Sequence, residues 1–317
     1  MNILVTGGAG FIGTNLIKKL LRDGVHPENE NLQHQIVSLD NYSTGLVENH
    51  QKGAFYKSID LTHRKYPSGK SIDYLEFFNG DSPDVIFHLA ALARIQPSFE
   101  EPIETLNANV VGTMNILDFA RKSGNIPVVY ADSSSVHGNK YVNPYTFSKY
   151  NGAELCKLYS EVYKLPVSIC RFYNVYGPHQ LTDGEYCTVV GIFQEQYKNN
   201  KPLTVTWDGE QRRDFTHVED IVDGLIKSAK RLTIRETYDE TYPCEEYELG
   251  TGTNWSINEL ASWFGDYPTK SIPKRDGEMR ESLCTDTKAL EVLNWNPTRS
   301  LEDYIKAFVD TERFFNE

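Results

Sequence analysis

Short apolar runs alternate with amphipathic stretches through the first 175 residues. Ile3-Leu4-Val5 suits a strand buried on both faces, and Phe11, Ile12, Leu16, Ile17, Leu20 and Leu21 follow at helical spacing. Residues 36–39, ending in Asp40, read as a second strand, and 55–59, ending in Asp60, as a third. Residues 84–91 are a buried run passing into small residues, 103–122 have the spacing of one long helix, and 126–131 and 165–172 are further strands. The polar stretch 26–35 reads as a surface loop. Strands alternating with helices predict an α/β fold with a doubly wound parallel sheet, whose ligands lie beyond the carboxyl ends of its strands.

Near Val175 the pattern changes to helices, turns and short strands. The expected division is 1–174 for the sheet domain and 175–317 for a smaller, mostly helical domain, with segments at about 216–250 returning to the first. Residues 189–199 read as a helix, 208–215 as a turn, 247–250 as a strand, and 286–293 and 301–315 as helices.

Composition narrows the function classes. A net charge of -12 over 317 residues disfavours a nucleic-acid or anionic-membrane partner, which needs a basic face. The five cysteines are odd in number, scattered and never in a C-x-x-C pair, which argues against a disulfide framework and a zinc site. No apolar run reaches about 18 residues and no signal segment opens the chain, so a soluble, cytoplasmic protein is expected.

The densest chemistry is TGGAGFIG, with four glycines in the eight positions from Thr6 to Gly13, between a strand and a helix. Glycines there allow a tight turn and close approach of backbone to a pyrophosphate, while the helix N-terminus offers free N–H groups. Asp40, closing the second strand, is placed to accept hydrogen bonds from ribose hydroxyls and to repel a 2′-phosphate, which favours NAD over NADP.

Proton chemistry is suggested further on. The fifth strand leads into Asp132-Ser133-Ser134-Ser135-Val136-His137-Gly138, and Asn143-Pro144 then supplies an N-cap and a first-turn proline. Tyr145 and Lys149 should therefore sit one turn apart on one helix face. A tyrosine with a pKa of about 10 serves as a base at neutral pH only if that value falls by roughly three, worth about 4 kcal/mol. A neighbouring ammonium and a nicotinamide cation have the sign that lowers it. The same Tyr-x-x-x-Lys spacing occurs at Tyr66 and Tyr197, without the hydroxyl segment or the cap.

TGGAGFIG, Asp40, HLAA at 88–91, the Ser133 segment, Tyr145-x-x-x-Lys149 and RFYNVYGP at 171–178 together resemble the extended short-chain dehydrogenase/reductases, in the nucleotide-sugar epimerase/dehydratase group. The resemblance runs from residue 2 to about 290. It implies a Rossmann sheet, NAD as cofactor, a nucleotide-diphosphate sugar as substrate and a homodimer. It also implies Ser133 as catalytic hydroxyl, Tyr145 as base and Lys149 as ligand of the nicotinamide ribose. Gly7, Gly10, Phe11, Ile12 and Gly13 would meet the pyrophosphate, Asp40 and Asn41 the adenosine ribose, and Asp60 and Leu61 the adenine. Ala90, Ala91, Ala93, Asn109 and Tyr173 would line the dinucleotide. On the substrate side Asn174, Arg213 and Arg275 match residues that hold the diphosphate and nucleotide, and Arg94 occupies a loop that can touch the sugar.

The reaction turns on the neighbours of Ser133. Family members that dehydrate the sugar carry Asp-Glu directly after the catalytic hydroxyl residue, and decarboxylases usually keep a glutamate at the second position; here both are serines, Ser134 and Ser135. The expectation is NAD-dependent 4-epimerisation of a UDP-hexose or UDP-N-acetylhexosamine through a 4-keto sugar. The competing readings are a dehydratase, decarboxylase or reductase on the same scaffold, and a non-enzymatic dinucleotide sensor. Ser282, seven residues after Arg275, falls where a small residue in this group admits an N-acetyl group. Three departures stand out. His137 replaces a usual tyrosine, Asp132 precedes Ser133 where a small or hydroxyl residue is common, and Arg94 would favour an anionic sugar. Phe119, Leu155, Leu158 and Tyr159 are the apolar positions expected at a dimer face.

Overall fold

The computed structural model describes residues 1–25, 34–234 and 244–316. The loop expected at 26–35 therefore lies outside the described residues except at its end, where Gln35 opens a strand. The first half of the chain runs β1 (Asn2–Thr6), α1 (Phe11–Asp23), β2 (Gln35–Asp40), β3 (Ala54–Ser58), β4 (Val85–His88), α2 (Ile95–Glu100), α3 (Pro102–Leu106), α4 (Gly112–Lys122), β5 (Val128–Ser133), α5 (Pro144–Tyr163) and β6 (Val167–Phe172). There follow β7 (Val175–Tyr176), α6 (Val189–Lys198), β8 (Leu203–Thr206), β9 (Arg212–Asp214), β10 (Thr216–His217), α7 (Val218–Thr233) and β11 (Cys244–Leu249). The chain ends with β12 (Asn254–Ser256), α8 (Ile257–Ser262), β13 (Thr269–Ile272), α9 (Lys288–Leu293) and α10 (Leu301–Asn316).

Seven strands make one parallel sheet in the order β11-β6-β5-β4-β1-β2-β3. The order reverses between β1 and β4, which opens a crevice at the carboxyl ends of those two strands. Period-two alternation sends Ile3 and Val5 to one face and Leu4 to the other. On the first face α1, α7 and α9 bury Leu16, Ile17, Leu20, Ile221, Leu225 and Leu293. On the second, α4 and α5 bury Ile116, Leu117, Ala153 and Cys156. Each fully buried side chain of this size contributes about 1.5–3 kcal/mol, so the two layers hold the carboxyl edge of the sheet rigid.

The helix expected over 103–122 is broken in register. Between α3 and α4 the residues Asn107–Val111 form a π-turn, which turns Asn109 inward. The expectations contain no helix over 218–233, although Ile221, Val222, Leu225, Ile226 and Ala229 keep helical spacing; α7 fills that stretch and β11 returns beside β6. Beyond the sheet a second lobe has its own core, with Phe193, Leu260, Phe264 and Ile305 drawn from α6, α8 and α10. Short strands join these helices, β8 pairing with β13 and β9 with β12.

Candidate active site

A cleft of about 500 Å³ runs from the crevice beside β1 across the carboxyl edge to the second lobe. At one end lies the glycine turn. Gly7 has φ +71°, and a Cβ there would stand 2.8 Å from the Ala90 nitrogen; a Cβ on Gly13 would stand 2.2 Å from the Gly7 carbonyl oxygen. Those two glycines let the turn close against the 89–91 loop and against α1. Gly10 caps α1 with no side chain, so the first-turn N–H groups are left to whatever occupies the cleft. Gly10, Phe11, Ile12 and Gly13 all line the wall.

Asp40 closes β2 beside this turn. Its Oδ2 accepts from Ala9 N at 2.9 Å and its Oδ1 from Tyr42 N at 2.8 Å, which fixes the carboxylate at the cleft edge. Asn41, Asp60, Leu61, Ala90, Ala91 and Ala93 line the same end, joined by Ser43 and Thr44, which the sequence reading passed over. A side-chain-free helix N-terminus in the cleft wall, with a fixed acid where a 2′-phosphate would lie, fits NAD.

The proton chemistry sits mid-cleft. Asn143 caps α5 by accepting from Thr146 N at 2.7 Å, and Tyr145 N donates to Ser98 Oγ at 3.2 Å, so the first turn of α5 is held from both sides. Tyr145 and Ser133 both line the cleft, with the Ser133 hydroxyl near enough to the phenol to bear on its pKa. Burial pushes the Tyr145 pKa up, ahead of the Ser133 hydroxyl and the Arg94 guanidinium, which pull it down, and of Asp132, which raises it.

Three expected cofactor residues sit elsewhere. Lys149 is buried behind the cleft wall, its Nζ donating to Ala131 O at 2.7 Å and lying 5.1 Å from the Tyr130 ring, and burial pulls its pKa down to about 8. The cation that lowers the Tyr145 pKa here is Arg94, with Lys149 held on the Ala131 carbonyl. Asn109 is also buried behind the wall. It donates from Nδ2 to Leu92 O at 2.9 Å and to Ser148 Oγ at 2.8 Å, and accepts from Leu92 N at 2.8 Å, so it pins the loop that forms the wall. Tyr173 does not line the cleft; its ring is buried and stacks on His137 at 6.4 Å.

Toward the second lobe the cleft is lined by Asn174, Arg213, Arg275 and Ser282. Asn174 Nδ2 donates to Asp214 O at 3.0 Å and Ser282 Oγ at 3.2 Å, tying two of these segments together. Arg213 and Arg275 both approach Glu278, at 3.8 and 3.7 Å, so two guanidiniums share one carboxylate. Burial lowers the pKa of Arg213. Arg94 is fixed by Nε to Tyr186 O at 2.7 Å and Nη1 to Ala93 O at 3.0 Å, and among the described residues no carboxylate pairs with it. Tyr186, Thr188 and Met279 also line this half and carried no signal in the sequence.

A parallel sheet with a glycine turn at its switch point, and a hydroxyl pair between that turn and a second lobe, defines a dinucleotide-binding enzyme scaffold. Residues 3–239 match the profile of the NAD dependent epimerase/dehydratase family. The chain belongs to that family, whose cofactor is NAD. It is 31% identical to the UDP-glucose 4-epimerase of Mycolicibacterium smegmatis, over 98% of each chain. It is 29% identical to UDP-glucuronic acid decarboxylase 6 of Arabidopsis thaliana, over 96% of this chain and 86% of the relative. Among solved structures, a Thermotoga maritima UDP-glucose 4-epimerase with UDP-glucose matches at a TM-score of 0.84 and 29% identity, with full coverage of both chains.

Proposed function

We propose that the protein is an NAD-dependent nucleotide-sugar 4-epimerase that inverts C4 of a UDP-hexose or UDP-N-acetylhexosamine. The observation that carries this reading is the Ser133–Tyr145 hydroxyl pair in the cleft, followed by Ser134 and Ser135 where water loss or decarboxylation would call for carboxylates. Bound NAD would take a hydride from C4 and give it back. The chain's residues do the rest. Tyr145 takes the O4 proton and returns it, and Ser133 holds O4 by a hydrogen bond in both directions. Gly7, Gly10 and Gly13, with the start of α1, hold the pyrophosphate, Asp40 and Asn41 the ribose, and Asp60 and Leu61 the adenine. Arg213, Arg275 and Asn174 hold the sugar's diphosphate, where paired guanidiniums suit two phosphates. The 4-keto sugar is then free to turn about that anchor and receive hydride on its other face. Ser282 leaves room for an N-acetyl group.

A second reading of the substrate is favoured by Arg94. A half-buried guanidinium without a carboxylate is unfavourable unless a ligand supplies the counter-charge. An anionic sugar such as a uronic acid would do so next to Tyr145. Arg94→Met should lower kcat/KM for UDP-glucuronic acid by roughly tenfold or more while changing UDP-glucose turnover little; equal losses on both sugars would remove this reading. The epimerase reading is tested by Tyr145→Phe and Ser133→Ala. The first should lower kcat by roughly 10²–10⁴-fold and the second by less, with NAD affinity retained. Unchanged turnover in Tyr145→Phe would reject it.

We further propose a homodimer joined through α4 and α5, in a cytoplasmic setting. Ile103, Leu158 and Val162 are exposed on this side, while Phe119, Leu155 and Tyr159 are half-buried against their own core.

A further inference from the structure

The segment carrying Ser133 is tied down at both ends by one charge network. At its start, Asp132 on β5 lies opposite Arg171 on β6, and Arg171 lies opposite Glu248 on β11. The three side chains form a row across the carboxyl edge. Arg171 Nε donates to Asp132 Oδ2 at 2.7 Å, Nη1 to Glu248 Oε1 at 3.1 Å and Nη2 to Glu246 Oε2 at 2.5 Å. At the other end a helical turn, Ser134–His137, brings His137 Nε2 to 3.0 Å from Glu248 Oε2. That oxygen is buried and has no well-aligned hydrogen-bond donor among the described residues, and the Tyr173 hydroxyl also faces Glu248. Between the two ties stand the Ser133 side chain, which accepts from Ser135 N at 3.3 Å, and Gly138 N, which donates to Ser135 O at 3.3 Å.

We propose that Asp132 and His137 are positioning residues: through Arg171 and Glu248 they clamp both ends of the serine turn, so that Ser133 meets Tyr145, and the His137 end closes only when the imidazole is protonated. The reason is charge balance. Asp132, Glu246 and Glu248 share Arg171, while Lys149 also lies by Asp132 and Lys157 lies 3.0 Å from Glu246, which leaves Glu248 without a cation of its own. A protonated His137 supplies that cation beside Glu248 Oε2, and a buried carboxylate short of counter-charge is unfavourable. The groups facing His137 are Glu248 from β11, Arg171 from β6, Asp132 from β5 and Tyr173, stacked on it; Cys284 faces Glu248 from the far side. Glu248 raises the His137 pKa ahead of the burial that lowers it. The clamp is therefore fully engaged below the unfolded histidine value of about 6.5 and is lost as pH rises through the higher folded value.

Two measurements test this, and only the second rests on the epimerase reading. Hydrogen exchange of the Ser135 and Gly138 amides, corrected for intrinsic pH dependence, should lose protection as pH rises through the His137 value. In His137→Ala it should be unprotected throughout, and in His137→Gln, whose amide can donate but carries no charge, it should stay at the wild type's high-pH level throughout. In turnover, the wild type should show a falling limb in kcat at the same pH. His137→Ala should lower kcat roughly tenfold with little change in KM, and His137→Gln should hold kcat at the wild type's high-pH level with no falling limb. Should no epimerisation be found with any sugar, the exchange result stands alone and still decides the clamp. Identical protection at all pH values in the wild type and His137→Ala would overturn it, as would a falling limb that persists in His137→Gln.

Discussion

At Tyr145 the position of one phenol decides whether the cleft can move a proton. Burial raises its pKa in the protein alone, so the base is protonated at neutral pH until another charge joins Arg94. The difference in tyrosinate absorbance between the wild type and Tyr145→Phe should therefore titrate above about 10 without cofactor. It should move down with NAD, whose nicotinamide is a cation, and stay high with NADH, whose ring is neutral; the same midpoint with both would contradict this electrostatic account. The tyrosine, its hydroxyl partner and the Asn143 cap were legible because each is fixed by local sequence. That Lys149, Asn109 and Tyr173 lie behind the cleft wall was not legible, because spacing along a helix or strand gives a face but not which layer of the sheet edge that face meets. Arg94 was read as a substrate-side residue, but its electrostatic place beside Tyr145 depends on the backbone oxygens of Ala93 and Tyr186, which no pattern encodes.

Among the elements, the alternation of strands and helices was readable because each strand of a parallel sheet is buried on both faces and each covering helix on one. The π-turn between α3 and α4 was not, since Ile103 to Lys122 keeps helical spacing through it. The turn delivers Asn109 to the 92 loop, and Asn109→Ala should lower stability by about 1–3 kcal/mol and weaken NAD binding, both readable by thermal unfolding with and without cofactor. Binding equal to the wild type would mean that the loop does not need this pin. The glycine turn is more demanding. Gly13→Ala places a methyl group against the Gly7 carbonyl and should destabilise by about 1–3 kcal/mol as well as weaken NAD binding.

For the whole molecule, the net charge argues against polyanionic partners, while Arg94, Arg213 and Arg275 gather cations locally in the cleft between the sheet and the second lobe. Asp214 helps hold that cleft together. It is fully buried and accepts from Thr251 N at 2.9 Å, Gly252 N at 3.0 Å and Cys284 N at 3.1 Å, so it joins β9 to the segments after β11 and before α9. The second lobe was the less legible half, because its short strands pair across long sequence separations and lack a repeating pattern. On the outer face, Leu158→Glu should convert a dimer into a monomer by light scattering; a wild type already monomeric would remove the dimer proposal. The central claim is inversion at C4 without net redox change. The direct measurement is proton NMR of UDP-glucose, UDP-N-acetylglucosamine and UDP-glucuronic acid, each incubated with the protein and a trace of NAD, with absorbance at 340 nm followed in parallel. The account predicts that at least one sugar converts to its C4 epimer and settles at a fixed ratio, with no accumulation of NADH. Loss of water or carbon dioxide from the sugar, or NADH rising in step with product, would contradict it.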